Sequence, residues 1–213
     1  EISECLVGSE MCIRDRIYMK SIIITEDLNS LKFRAYHCAV VHGWHKKPNS
    51  DEHYLWMVIT ELAEATNANR SNKLADEIKF KDEYQNTLFN EKVMQDNLYN
   101  FLFEKYIKDT FQDKISDTCI RLLDLAGLLD IGLTYIQYEL IGKMPYFKVS
   151  WTEFCFDCAN LLSDKKQNTE TKINYVLAGV INFAIQRNIN IYLYINLKMK
   201  YNELRPYKHN ILY

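Results

Sequence analysis

Two stretches of the chain each place acidic residues on one face of a predicted helix, and this arrangement constrains the fold more than any other feature. The stretch "MVITELAEATNANR" carries Glu61 and Glu64, and "DKISDTCIRLLDLAG" later carries Asp117 and Asp124. Residues three, four or seven apart share a helix face, so each pair projects together. Carboxylates that converge inside a bundle are costly unless a positive charge lies between them. Because carboxylate oxygen is the usual ligand of Mg²⁺, the sequence predicts a metal site between two helices.

The residue pattern predicts an all-α helical bundle that forms a single domain over residues 19–213. Only 6 Gly and 3 Pro occur in 213 residues, which disfavours a turn-rich β-sandwich or barrel. Gly43 is predicted to end the first helix, and Ser50 and Asn168 are predicted to cap later ones. Residues 71–100 are mixed and charged, and we expect an insertion or lid there. The predicted helices cover residues 29–42, 51–70, about 98–132, 151–163, 170–187 and 190–203.

The first eighteen residues do not share the pattern of the rest. Residues 1–18 show no helical or strand period, and they lack the basic-then-apolar layout of a signal peptide. We therefore expect a non-native leader, with Met19 as the true start.

Charge, hydropathy and cysteine usage narrow the possible partners and the compartment. The 26 basic and 28 acidic side chains give a net charge of −2, so we expect no general nucleic-acid binding. No apolar run approaches the roughly 18 residues of a membrane span, so no membrane partner is expected. The 6 cysteines are scattered, which predicts reduced thiols in a cytoplasmic protein.

A weak internal similarity relates two parts of the chain. The segment "LDLAGLLDIGLTYI" aligns with "INFAIQRNINIYLY" further on, so that Asp124 matches Asn182. The alignment predicts two related helix–turn–helix halves.

The acidic motifs and their order resemble those of the all-α nucleoside triphosphate pyrophosphohydrolases, the MazG-like and dimeric dUTPase-like superfamily. Its motif is E-E-x-x-E on one helix followed by E-x-x-D on another. In this chain Glu61 and Glu64 match the first part, with Thr60 at the position of the first Glu, and Asp117 matches the final Asp. Asp124 falls where many members carry Asn or Asp. The segments "HGWH" and "KMKYNELRPYKH" are similar to those of a MazG-like subgroup, so the resemblance covers roughly residues 28–70 and 105–209.

One substitution departs from this family pattern. Lys114 stands where the Glu of E-x-x-D is expected, and Gln112 replaces the preceding acid. Asp113 is a possible replacement ligand, because Asp113, Asp117 and Asp124 lie within about 40° of one another around a helix. The alternative is a weakened or lost metal site.

The resemblance implies an Mg²⁺-dependent pyrophosphohydrolase, with Mn²⁺ as a possible substitute. The reaction converts a nucleoside triphosphate and water to the monophosphate and pyrophosphate, which cleans the nucleotide pool. The implied fold is a MazG-like bundle with a helical C-terminal extension, and the implied assembly is a homo-oligomer. The implied catalytic residues are Glu61, Glu64 and Asp117. The implied metal ligands add Asp113 and Asp124 to these three, and the basic tail supplies the substrate-binding candidates Lys198, Lys200, Asn202, Arg205 and Lys208.

Two alternatives stay open at the level of sequence. Glu61 and Glu64 could form a solvated helix face, and Asp117 and Asp124 could instead pair with Arg121, which lies within one helical turn of each. The second functional reading is a catalytically impaired bundle that binds nucleotide or a protein partner, because Lys114 replaces an acidic ligand.

Overall fold

The computed structural model describes residues 28–47, 49–87, 89, 91–133 and 149–207, and the regular secondary structure in these ranges is entirely α-helical. The predicted leader at residues 1–18 and the predicted ligand-binding residue Lys208 lie outside these ranges. Among the described residues, no helix combines the length and apolar character that a membrane crossing requires. The helices are α1 (helical residues 28–41), α2 (Asp51–Arg70), α3 (Glu77–Asn86), α4 (Lys92–Tyr106), α5 (Phe111–Leu128), α6 (Trp151–Ser163), α7 (Thr169–Gln186) and α8 (Ile191–Glu203).

Side-chain caps define where several helices begin. The Ser50 side chain accepts a hydrogen bond from the backbone N–H of His53, and Asn168 accepts one from Thr171 in the same way. Ser150 and Glu153 form a reciprocal capping box at the start of α6. The predicted caps at Ser50 and Asn168 are confirmed, and the predicted helix 51–70 agrees with α2.

Residues 71–133 differ from the prediction in two respects. The expected insertion contains most of a helical hairpin, α3 and α4, whose ends are joined by a 3.0 Å hydrogen bond from the N–H of Asp76 to the carbonyl of Tyr106. The predicted single helix over about 98–132 is wrong, because the chain turns between α4 and α5. Asp109 adopts a positive φ of 60° there, and the Thr110 side chain caps α5 by accepting from the N–H of Asp113.

The main hydrophobic core lies between α2, α5, α6 and α7. The predicted apolar stripe of α2 is confirmed at Leu55, Val58, Leu62 and Ala65, which are all buried. Rings from three helices meet in this core. The ring of Trp151 contacts those of Phe111, Phe154 and Phe183, with centroids 4.8 to 5.5 Å apart.

A second hydrophobic cluster joins the hairpin to α8. It contains Phe80 of α3 and Phe103 of α4, and Tyr201 of α8 stacks on Phe103 with ring centroids 4.4 Å apart. The hydroxyl of Tyr99 donates to the carbonyl of Leu197 at 2.7 Å. Helix α8 therefore contacts both the hairpin and α5, and this fixes its place at the edge of the candidate site.

Helices α2 and α5 pack along each other in opposite directions. Glu61 of α2 pairs with Arg121 of α5, whereas Glu64, one turn further along α2, pairs with the earlier residue Lys114. This packing brings the two predicted acidic motifs onto facing surfaces.

Candidate functional site

A cleft of about 560 Å³ lies between α1, α2, α5 and α8 and is also lined by the loop after α1 and the turn before α5; we call it the central cleft. From Tyr54 to Glu64 it follows α2 for roughly 15 Å, at 1.5 Å per residue. Trp44, His53 and Met57 contribute to its lining beside Tyr54, and the charged residues extend towards Glu64. Its acidic lining residues are Glu61, Glu64, Asp109, Asp117 and Asp124, and its basic ones are Lys47, Lys108, Lys114, Arg121, Lys198 and Arg205.

Glu61 occupies the middle of the cleft and is buried. Arg121 donates to Glu61 Oε1 from Nε at 3.3 Å and from Nη2 at 3.2 Å. Burial and the neighbouring charges of Asp117 and Glu64 raise the pKa of Glu61 to about 7, although Arg121 opposes this shift. The charge of Asp117, in the second predicted motif, therefore acts on Glu61 of the first motif across the cleft. Arg121 pairs with α2 rather than with the acids of its own helix.

Lys114 forms an ion pair with an acid that the sequence predicts as a metal ligand. Its Nζ lies 2.6 Å from Glu64 Oε2 and 3.5 Å from Asp109 Oδ1. Burial lowers the pKa of Lys114, but the hydrogen bond to Glu64 and the charge of Asp117 together raise it above its ordinary value. Lys114 is therefore a permanent positive charge within the predicted metal site.

Lys198 of α8 lies between two acids of α5. Its Nζ is 2.8 Å from Asp113 Oδ1 and 2.7 Å from Asp117 Oδ2, and all three side chains are largely buried. One ammonium compensates two carboxylates, so the trio keeps one excess negative charge. Burial, opposed by Lys198, raises the pKa of Asp113 to about 6. The combined attraction of Asp117 and Asp113 outweighs burial and raises the pKa of Lys198.

Asp124 is held by a histidine from the loop after α1. His45 Nε2 lies 2.7 Å from Asp124 Oδ1, and His45 Nδ1 lies 3.3 Å from the hydroxyl of Tyr54. Burial raises the pKa of Asp124, and the hydrogen bond from His45 opposes the shift. The residues Tyr54 and Asp124 line the central cleft on either side of this histidine.

The predicted ligand-binding residues of the basic tail lie in different parts of the structure. Arg205 and Asn202 line the central cleft, and the side-chain oxygen of Asn202 is buried without a hydrogen-bond partner. Lys200 does not line it: its Nζ contacts the hydroxyl of Tyr84 and lies 4.2 Å from the centre of the Tyr99 ring. That placement argues against the predicted role of Lys200 in this cleft. Lys198 lines the cleft, but its ammonium is bound by Asp113 and Asp117.

The residues at the predicted metal site do not fit a divalent cation as they are placed. Glu61, Glu64 and Asp117 each contact a basic side chain, and Asp113 is fully buried away from the cleft surface. Within the ranges that the structure describes, no three Asp, Glu, His or Cys side chains are grouped so that they could hold a metal ion. Carboxylate oxygens are suitable donors for Mg²⁺, but here they are already bound by ammonium and guanidinium groups.

Sequence reasoning missed the partners that come from distant parts of the chain. Lys198 is 85 residues from Asp113, and His45 is 79 residues from Asp124. Helical spacing identifies neighbours on one helix only, so these pairs carried no local signal.

Comparison of the chain with protein-family models, with curated proteins and with solved structures finds no match.

Proposed function

We propose that the central cleft binds a nucleoside triphosphate and hydrolyses it to the nucleoside monophosphate and pyrophosphate. The observation that carries this proposal is the position of Glu61, Glu64 and Asp117, which share one cleft with basic side chains. A polyanionic ligand accounts for the basic groups, and an acid with a raised pKa suits proton transfer. The cleft volume also lies in the range of small-molecule sites.

The chain's own residues have distinct parts in this reaction. Water attacks the α-phosphorus, and the bond from that phosphorus to the oxygen bridging the α- and β-phosphates breaks. Glu61 takes the proton from the attacking water, because its pKa of about 7 leaves it partly ionised near neutral pH. Arg205 and Lys108 neutralise charge on the phosphoryl oxygens from the cleft edge. Trp44 and Tyr54 offer aromatic faces for a base.

A direct assay tests the reaction. Purified protein is incubated with a panel of ribo- and deoxyribonucleoside triphosphates, with Mg²⁺, with Mn²⁺ and with EDTA, and pyrophosphate is measured. Glu61→Gln should lower the rate by about a hundredfold or more, the usual size of a general-base contribution. Glu91→Gln, an exposed acid at the start of α4 with no side-chain cap hydrogen bond, is the matched control and should keep the wild-type rate. Pyrophosphate release from none of the substrates contradicts the hydrolytic reaction.

The second candidate function is nucleotide binding without hydrolysis. The 2.6 Å contact between Lys114 and Glu64 favours it, because that ion pair occupies an acid of the catalytic set. Calorimetric titration with nucleotide in parallel with the pyrophosphate assay separates the two functions. Binding with no product supports the second, and binding with product supports the first.

The proposal includes a compartment and an assembly state. The free thiols of Cys38, Cys119, Cys155 and Cys158 fit a reducing cytoplasm. Homo-oligomerisation is expected mainly from the family resemblance, and light scattering at tens of micromolar tests it. A monomer mass across that range contradicts it.

A further inference from the structure

The basic groups in the middle of the central cleft do more than balance its acids. We infer that this cleft binds the phosphate chain of a nucleotide without a divalent cation, and that the ammonium of Lys114 supplies the positive charge at that position. The inference rests on the proposed function, because it assumes that the ligand is a nucleotide.

The acids that a cation would need are already bound by basic side chains. Glu61 is bound by Arg121, Glu64 by Lys114 and Asp117 by Lys198, at distances between 2.6 and 3.3 Å. A divalent cation would have to displace these groups and would then lie beside the displaced positive charges. Like charges at such separations repel strongly in a partly buried site. Positive charge is therefore already built into the position where a metal would be needed.

These basic groups differ in whether they can reach a ligand in the cleft. Lys198 is 8% exposed and both of its acids are largely buried, so it acts within the protein. Lys114 lines the cleft, and its partners Glu64 and Asp109 are 54% and 59% exposed. Both carboxylates can turn towards solvent and leave the ammonium facing the cleft. An ammonium has three donors on a flexible stem, which suits one or two phosphate oxygens.

Further positive groups line the cleft beside Lys114. Arg121 lines the cleft and is 40% exposed at its side chain, and its Nη1 makes no contact with Glu61. A phosphate chain bound near Lys114 therefore also meets Arg121 of α5. Lys108, from the turn before α5, and Arg205, from the segment after α8, line the same cleft. These side chains are the cations that an anionic ligand in the cleft would contact.

Calorimetric titration of the full chain tests the inference. The probes are inorganic tripolyphosphate, ATP, GTP, CTP and dUTP, each in excess EDTA and in Mg²⁺. The inference expects at least one probe to bind in EDTA with a dissociation constant within about threefold of that in Mg²⁺. Binding that occurs only with Mg²⁺ overturns the inference and leaves the proposed function standing. Binding of no probe in either condition overturns the proposed function, and the inference falls with it.

Substitutions locate the effect at Lys114. Lys114→Gln should weaken binding in EDTA by about tenfold or more, and Lys114→Glu should make binding depend on Mg²⁺. Lys166→Glu, an exposed lysine in the turn after α6, has the same charge change away from the cleft and should bind as the wild type. Circular dichroism and the unfolding midpoint verify that each variant is folded. Unchanged affinity in EDTA for folded Lys114→Gln and Lys114→Glu overturns the role of Lys114.

Discussion

At the scale of single residues, the buried ammonium of Lys198 joins α8 to α5. It is the shared partner of Asp113 and Asp117, and the three groups lie where water has little access. Removing one partner of such a buried network leaves the others charged and uncompensated. The cost then exceeds the value of the ion pair itself.

We therefore expect Lys198→Met to lower the free energy of unfolding by about 3–5 kcal/mol, as for other broken buried pairs. The loss should be smaller at pH 5, because the carboxyl of Asp113 then takes up a proton. Urea unfolding at pH 5 and pH 7.5 measures both effects. Lys200→Met, two residues along the same helix, is the matched control, since Lys200 contacts tyrosines instead of carboxylates. Equal losses for the two variants contradict this account.

Glu61 gives the molecule a predictable dependence on pH. Its pKa is about 7 in the folded protein against an ordinary 4.5, so the folded state binds the proton more tightly than the unfolded state between these values. Stability then falls as the pH rises through that window, on the order of 3 kcal/mol in total. Glu61→Gln should remove most of this decrease, as measured by urea unfolding from pH 4.5 to 7.5. Glu91→Gln should keep the slope, and an identical slope in the Glu61 variant refutes the assignment.

At the scale of elements, the same turn ends several helices. Asn72, Asp130 and Asn188 all have a positive φ between 51° and 56°, a conformation usually given to glycine. After α5, Ile131 donates from its backbone N–H to the carbonyl of Ala126, and after α7 Ile189 donates to Ala184. These pairs occupy equivalent places in the internal alignment. The aligned segments therefore share this turn, as α2 does at Asn72, and the predicted relationship between them stays a prediction.

The positive φ of Asn188 determines which residue types are favourable at this position. Asn188→Ala should lower the free energy of unfolding by about 1 kcal/mol, because a β-carbon disfavours the left-handed region. Asn188→Gly should leave stability equal or higher, since glycine adopts this conformation without that cost. Thermal and urea unfolding of the two variants measure the difference. Alanine and glycine variants of equal stability would show that backbone conformation at this turn carries no cost.

Local signals explain which elements the sequence predicted and which it did not. Helices α2 and α6 begin after serines whose side chains cap them, and their predicted ranges agree with the structure. The break between α4 and α5 was missed, because it contains neither glycine nor proline and depends on Asp109 adopting a positive φ. The helical spacing that predicts a shared face for Glu61 and Glu64 is likewise a local signal. The histidine on Asp124 and the lysine on Asp113 depend on tertiary packing, which helical periodicity does not encode.

At the scale of the whole molecule, α3 buries fewer side chains than any other helix that the structure describes. Helix α3 buries one side chain, Phe80, whereas α7 buries residues along most of its length. Segments with few buried apolar contacts open locally at a lower free energy than the global core. The hairpin should therefore open while the main core stays folded.

Hydrogen exchange tests this order of stability. Amides of α3 should exchange faster than those of α5 and α7, and Phe80→Ala should accelerate exchange in α3 and α4 without changing α7. Phe101→Ala is the matched control, because Phe101 lies on the same hairpin but is 60% exposed. Acceleration throughout the chain in the Phe80 variant contradicts independent opening.

The position of Lys198 in the chain has a consequence for synthesis on the ribosome. Asp113 and Asp117 leave the exit tunnel long before the lysine that neutralises them, since Lys198 and Asp113 are 85 residues apart. A chain grows at about 5–20 residues per second, so these acids stay hydrated for several seconds. Helices α2 and α5 can form in that interval, but burying their acidic faces before α8 arrives would be costly. We therefore expect the cleft to form late in synthesis, after α8 has left the ribosome.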